Sequence, residues 1–327
     1  MGERKKKKMK YLSLFSGIGG FECAINQVFI ALSGAKKAQC LGFSEIDKMA
    51  TKVYLEHFPD HPALGDITQV DFRPFRGQVD LVVGGFPCQD LSSIRNLHFK
   101  DKDKKDKGLK DGIEGERSGL FFEFLRCLEE CQPKFFIMEN VASMSKENRK
   151  KISELIGVEP VLLNSKEFTA QKRGRLVWFN FNLPPINNNR KNILFLTEFN
   201  DILVPVKEAR GLAHSEKRVK YFLSPLKKGK TRLEKYKGFF YDTTKEKTPC
   251  LLASAHAVVL DYRFIKKDKE PLFRKLAQVE AERLQGFPDG WTSSLSYTAS
   301  IKRLGNAVTV PVVAELLKKL NQNIEKA

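Results

Sequence analysis

Residues 11–32 read YLSLFSGIGGFECAINQVFIAL, and the fold is decided in this stretch. Tyr11–Leu14 is a short apolar run of strand type, Phe21–Leu32 carries apolar residues at helical spacing, and Phe15-Ser16-Gly17-Ile18-Gly19-Gly20 joins them. A strand that turns through glycines into a helix exposes main chain and unpaired helix N–H groups at one point, where a ligand can approach closely. Taken alone, such a turn is equally an ordinary strand-to-helix connection.

The same alternation continues outward. Gln39–Ser44, Val79–Val83, Lys134–Met138, Pro160–Leu163 and Leu176–Phe181 read as strands, with helical patterns over Lys48–His57, Gly119–Cys131 and Lys146–Ile156. This predicts an α/β fold built on a doubly wound, mostly parallel, Rossmann-like sheet with helices on both faces. After Leu183 the texture changes: Pro184, Pro185 and Asn187–Asn189 form a linker, and an irregular, basic, short-stranded stretch follows. The expected division is a catalytic, cofactor-binding domain over 10–183 plus 303–327, and a second, smaller target-recognition domain over 184–302. Lys275–Gln285 reads as a helix, and Val310–Leu320 as an amphipathic terminal helix. Lys100–Lys110, which alternates Lys with Asp, suits a solvated mobile loop.

Composition limits what the motifs can mean. The 327 residues, 42% of them hydrophobic, suffice for one large core or one core plus a lobe. No run of about 18 apolar residues occurs, and MGERKKKKMK lacks a secretory apolar stretch. A soluble protein without a membrane partner is expected, cytoplasmic in a bacterial, phage or viral host and nuclear if eukaryotic. The six cysteines form no CxxC pair and have no histidine at zinc spacing, so neither disulfides nor a metal are expected. The net charge of +18 favours a polyanionic partner. Pro184–Leu272 holds 19 Lys and Arg against 10 Asp and Glu, half the net excess, and is the expected nucleic-acid surface; a lysine-rich composition by itself is the competing explanation. The Lys5–Lys8 run reads equally as a nuclear address, a phosphate-binding arm or a cloning artefact.

Chemistry-bearing residues gather at predicted strand ends. Glu45-Ile46-Asp47 offers a carboxylate where a Rossmann-like site needs an acceptor for ribose hydroxyls, and Gly65-Asp66-Ile67-Thr68 adds another acidic turn. Strand Val79–Val83 runs into Gly84-Gly85-Phe86-Pro87-Cys88-Gln89, a thiol on a rigid loop at the cofactor edge, where a nucleophile belongs. A strand-end carboxylate recurs in Met138-Glu139-Asn140-Val141. Gln171, Arg173 and Arg175 alternate ahead of the last strand, an arrangement expected to project them together into one site.

The ordered set FSGIGGFE, EID, GDIT, GGFPCQ, MENV, QKRGR, EAERLQGFP and RLGNAVTVP resembles the motif series of the cytosine carbon-5 DNA methyltransferases, from about Leu12 to Val313. The resemblance implies S-adenosylmethionine as methyl donor and S-adenosylhomocysteine as product. Phe15 and Ile46 would pack the adenine, Glu45 would bind the ribose hydroxyls and Asp66 the adenine amino group, with Gly17, Gly19 and Asn306 at the methionine end. Cys88 would be the nucleophile, Glu139 the acid at the ring nitrogen, and Arg173 with Arg175 the positive lining of the base pocket. The short spacing from Val141 to Gln171 resembles the eukaryotic de novo class, and by analogy CpG targets, whereas Gly305-Asn306 resembles bacterial enzymes.

The chemistry explains these residue types. Carbon 5 of cytosine is a poor nucleophile until a thiolate adds at carbon 6 and a proton is given to nitrogen 3, so a thiol and a protonated carboxyl must flank one ring. A stacked base cannot reach both, and flipping it from duplex DNA costs a few kcal/mol. The segment Asp90–Glu116 is the expected clamp, with Gln89, Ser92, Lys100 and Lys102 as DNA contacts there and Arg218, Lys220, Arg232 and Lys235 in the basic lobe. A tRNA cytosine-5 methyltransferase on the same scaffold is the nearest rival, but its Cys-Phe-Thr tripeptide is missing. A catalytically inactive DNA-binding regulatory subunit is the rival from another class, but the Pro-Cys loop and the cofactor turn are intact.

Overall fold

Alternating apolar runs become one sheet of six strands in the order β2-β1-β3-β4-β6-β5. The strands are β1 (Met9–Leu14), β2 (Ala38–Ser44), β3 (Leu81–Gly84), β4 (Phe135–Val141), β5 (Val161–Asn164) and β6 (Gly174–Phe179). The computed structural model describes residues 8–29, 38–87, 119–183, 198–224, 231–235, 240–253, 257–264 and 271–326. β1 pairs in parallel with β2 and β3, and β3 with β4; β6 runs antiparallel to β4, with Val141 opposite Arg175 and Glu139 opposite Val177. That reversal brings the end of β4 and the start of β6 to the same edge, so two strand termini present side chains there.

Helices α1 (Gly20–Phe29), α2 (Lys48–His57), α3 (Leu120–Cys131) and α4 (Lys146–Ile156) follow the predicted patterns closely. Their limits have local causes. Asp47 caps α2 by accepting from the Met49 and Ala50 amides, and Ser145 caps α4 by accepting from Asn148. Gly157 ends α4 at φ +79°, a left-handed position that a side chain would strain. Leu12, Leu14, Val82, Phe121, Phe124, Met138 and Trp178 fill the core between sheet and helices. The doubly wound α/β expectation holds.

The chain divides into two compact units, residues 1–163, 174–186 and 312–327 in one, and 164–173 with 187–311 in the other. The expected boundary kept 164–173 and 303–311 with the catalytic part. Contacts inside the second unit explain why 164–173 falls there: Gln171 Nε2 donates to the Leu284 carbonyl and to Gln285, and the Leu251 amide donates back to Gln171.

Within the second unit, strands β7 (Tyr241–Asp242), β8 (Val258–Asp261) and β9 (Leu272–Lys275) form a small sheet, with helices α5 (Val206–Arg210), α6 (Glu216–Leu223), α7 (Arg232–Lys235), α8 (Gln278–Gln285) and α9 (Tyr297–Asn306). Helix α10 (Val310–Lys326) runs six residues beyond the expected end of the terminal helix at Leu320. Lys275, read as the start of a helix, instead ends β9, and α8 begins at Gln278. Phe222, Phe240, Val258, Leu260 and Phe273 make this unit's own apolar cluster.

Candidate active site

The turn between β1 and α1 has the conformation its glycines permit. Gly17 and Gly19 have φ of +55° and +83°, and Phe15, with a side chain, is also left-handed at φ +54°. A non-glycine residue held there costs on the order of 1–3 kcal/mol, strain that collects at ligand sites. The two glycines serve different ends. A methyl group on Gly17 would meet nothing within 4 Å, whereas one on Gly19 would stand 2.7 Å from the Phe58 ring. Gly17 borders open space and Gly19 is packed against α2's C-terminal aromatic residues.

Glu45 closes the turn from β2. Its carboxylate accepts the Gly17 amide at 2.9 Å and the Asp47 amide at 2.7 Å, one on each oxygen, leaving lone pairs on both. Burial pushes the Glu45 pKa up against the pull of those two amides. Beside it Ile46 is 70% exposed, an apolar side chain offered to solvent at the end of a buried strand. A carboxylate with spare acceptors, an exposed apolar face and an open glycine fit a nucleoside with ribose hydroxyls and a flat base.

Asp66 is placed differently from expectation. It does not end a strand; it is an exposed cap on the short turn Ile67–Gln69, with Oδ1 accepting from the Thr68 amide and hydroxyl. The residues ahead of it lie along β2: Ala63 bridges Phe43 in parallel, the Leu64 amide donates to the Phe43 carbonyl, and the Ser44 hydroxyl donates to the Gly65 carbonyl. Arg126 of α3 steadies this loop by donating to the carbonyls of Ile67 and Val70. Asn306 is exposed at the end of α9, and Gly305 before it packs against the Leu252–Ala253 backbone, where any side chain would collide.

At the other strand ends Glu139 and Arg175 come together. Arg175 Nε lies 2.6 Å from Glu139 Oε1, with the two side chains 16% and 15% exposed. The segment running toward the thiol passes against this pair: a methyl on Gly85 would be 3.2 Å from Glu139 Oε2. Asn140 Nδ2 donates to the Phe86 carbonyl at 3.0 Å, pinning the chain two residues before Cys88. Gly85 and Asn140 lie in GGFPCQ and MENV, where neither carried an expected role. Cys88, Gln89, Ser92, Lys100 and Lys102 lie outside the described residues, as does the expected clamp 90–116.

Arg173 and Arg175 make different contacts. β6 starts only at Gly174, so strand alternation does not extend back to Arg173. Its side chain is buried, and its guanidinium donates to the carbonyls of Leu251, Gly305 and Ala307 and to Cys250 Sγ. Both terminal nitrogens are thus bonded within the second unit, mostly to main-chain carbonyls. Arg218 and Lys220 are exposed on α6, and the Arg218 guanidinium lies over the Tyr221 and Phe222 rings. Arg232 and Lys235 fall on α7. Among the described residues no cluster of His, Cys, Asp and Glu could hold a metal, and no helix is long and apolar enough to cross a membrane.

Comparison with known proteins follows the same lines. The model of the C-5 cytosine-specific DNA methylase family matches residues 9–322. The chain is 31% identical to the Type II methyltransferase M1.ScrFI of Lactococcus lactis subsp. cremoris, over 99% of this chain and 81% of that protein. It is 29% identical to the Type II methyltransferase M.HpaII of Haemophilus parainfluenzae, over 98% and 91% of the two. Among solved structures, the Entamoeba histolytica methyltransferase EhMeth shares the fold with a TM-score of 0.69 at 18% identity, covering 97% of this chain and 99% of its own.

Proposed function

The chain belongs to the C-5 cytosine-specific DNA methylase family and is a DNA cytosine-5 methyltransferase that uses S-adenosylmethionine, and from that premise we propose which of its residues carry the reaction. The carrying observation is the Glu139–Arg175 pair lying against Gly85 in the segment that Asn140 anchors just ahead of Cys88. It supports a base pocket in which Cys88 and Glu139 flank one flipped cytosine.

In this reading the Cys88 thiolate adds to carbon 6 while Glu139 gives a proton to nitrogen 3, so the electron pair displaced from the carbon 5–carbon 6 double bond is held as an enamine. Arg175 orients the Glu139 carboxyl and adds positive charge beside the pyrimidine carbonyl. S-adenosylmethionine, when bound, supplies the electrophilic methyl that carbon 5 takes. Loss of the carbon 5 proton to a base then expels Cys88 and restores the ring, the proton on nitrogen 3 returning to Glu139. Phe15, Gly17, Gly19, Glu45 and Ile46 hold the donor, with Asp66 and Asn306 as further contacts. Arg173 is assigned to positioning, since three of its guanidinium hydrogen bonds go to main-chain carbonyls.

Residues 184–302 serve target recognition in this proposal, with duplex DNA met by Arg218, Lys220, Arg232 and Lys235 and by the 90–116 segment. The bacterial Type II relatives support a cytoplasmic enzyme of a restriction-modification setting. Transfer of labelled methyl groups to unmethylated duplex DNA, with tRNA as the parallel substrate, tests the assignment. Label appears as 5-methylcytosine in DNA; label confined to tRNA overturns it.

A further inference from the structure

Beneath the donor turn lies a carboxyl that the reaction does not use. Glu22, in the first turn of α1, has no exposed surface. The hydroxyls of Ser13 and Tyr54 approach its carboxyl, and neither oxygen completes a well-formed hydrogen bond. A buried group in that state settles on the form its neighbours can satisfy.

Those neighbours form a chain with a direction. At one end Ser16 Oγ, inside the donor turn, donates toward Ser13 Oγ at 2.9 Å, which leaves the Ser13 proton for Glu22. At the other end Tyr54 Oη is 2.9 Å from His61 Nδ1. Burial lowers the His61 pKa, against the nearby Asp60 charge, so the imidazole is neutral and Nδ1 accepts the Tyr54 proton when Nε2 carries its own. The Tyr54 oxygen is then an acceptor facing Glu22, and only a protonated carboxyl has a hydrogen to give it. Ser16–Ser13 and Tyr54–His61 are hydrogen-bonded, and Glu22 stands between the two pairs with neither oxygen partnered; in that proton arrangement only a neutral acid can both accept from Ser13 and donate to Tyr54.

The same rings also press on the turn directly. A methyl on Gly19 would meet Phe58 at 2.7 Å and Tyr54 at 3.4 Å, and Phe58 stacks on His61 with ring centroids 5.0 Å apart. Movement of Tyr54 is therefore felt at Gly19, and a change at Ser13 is felt at Ser16.

We propose that Glu22 is a positioning residue for methyl-donor binding: as a neutral acid it completes a one-way hydrogen-bond chain from Ser16 to His61, and loss of its proton loosens the Ser16–Gly19 turn and weakens the donor complex. The inference rests on reading that turn as the donor site. Burial pushes Glu22 up to about 7, against the opposing pull of Ser13, its own amide and Tyr54. The other titratable groups around it do not change charge in that range: Cys23 on α1 and Cys40 on β2 are both pushed up to about 12 by burial, and Tyr11 on β1 and Tyr54 on α2 are raised above their usual range. Burial lowers His61 and raises Glu45, which also belongs to the donor site, so the comparison with Glu22→Gln separates the Glu22 limb from any that Glu45 contributes.

Calorimetric titration of the full chain with S-adenosylhomocysteine, from about pH 6 to about pH 9, tests this, because a required proton makes Kd rise toward about tenfold per pH unit above the break. The unaltered protein shows that rise, and Glu22→Gln, which keeps a donor and an acceptor, binds with a flat alkaline limb. Tyr54→Phe, which cuts the chain, binds more weakly throughout and loses the limb. If Glu22→Gln retains the native limb, the relay is overturned; if that variant does not fold, a native limb in Tyr54→Phe overturns it instead. No binding by the unaltered chain at any pH overturns the donor site and the relay together, whereas binding with an unmoved limb overturns the relay alone.

Discussion

At the edge of the large sheet Arg175 meets Glu139 through one 2.6 Å contact, with both side chains about one-sixth exposed, while in the second unit Arg274 joins Asp261 and Glu280 with none of the three exposed. The second cluster is saturated. Arg274 Nε donates to Asp261 at 2.7 Å, its other nitrogens donate to both Glu280 oxygens, Arg263 also donates to Asp261, and Glu280 further accepts the amides of Val204 and Ala277. Burial alone would raise the Asp261 pKa, but the hydrogen bonds from Arg263 and Arg274 outweigh it and hold it below the usual range. The same two side-chain types thus serve opposite ends. Where every lone pair is spent the cluster fixes a fold, and where capacity is left over it can meet a substrate.

Substitutions that separate stability from rate sharpen this contrast. The largest effect is expected for Glu139→Gln, which lowers kcat about 10²–10⁴-fold by removing the proton donor while leaving the unfolding midpoint close to native. A fall in stability matching the fall in rate would erase the distinction. Next comes Arg274→Met, which leaves buried Glu280 without its arginine and Asp261 with Arg263 alone, and destabilises by about 3–5 kcal/mol in denaturant titration. Near-native stability in that variant would mean the saturated network does not hold the second unit together.

Glu22 is a third case, a buried carboxyl with no arginine partner among the described residues. Its folded pKa, about 7, lies above the ordinary 4.5, so the destabilisation is absent below about pH 4.5, grows through the interval and is complete above about pH 7. Glu22→Gln should therefore gain stability on the native chain as pH rises, approaching about 3 kcal/mol by the linkage relation. A pH-independent difference between the two proteins would contradict this.

Much of the architecture was legible from pattern. Lys48–His57 and Lys146–Ile156 end where expected, because caps and apolar spacing agree there, and all six strands of the large sheet lie within a few residues of their apolar runs. Glu45 and Glu139 were readable because a carboxylate closing an apolar strand has few structural reasons to be there. The contacts of Gln171 and Arg173 were not legible from Gln-x-Arg-x-Arg, because alternation holds only within a strand, and the strand begins after them. The roles of Asp261, Arg274 and Glu280 have no local signal: they are set by partners 13 and 6 residues away that only the folded chain assembles. Asn140 had one, an amide beside a strand-end acid, which is the residue type able to hold a passing main-chain carbonyl.

The central claim, that Cys88 forms a transient bond to carbon 6 of the target base, is most directly tested by incubating the enzyme with S-adenosylmethionine and duplex DNA carrying 5-fluorocytosine at target sites. With fluorine in place of the departing proton, the unaltered protein should accumulate as a denaturation-resistant DNA conjugate, with the cross-link mapping to Cys88, and Cys88→Ser should give none. A Cys88→Ser protein that methylates ordinary DNA at the native rate, or a conjugate mapped to another residue, would contradict the account.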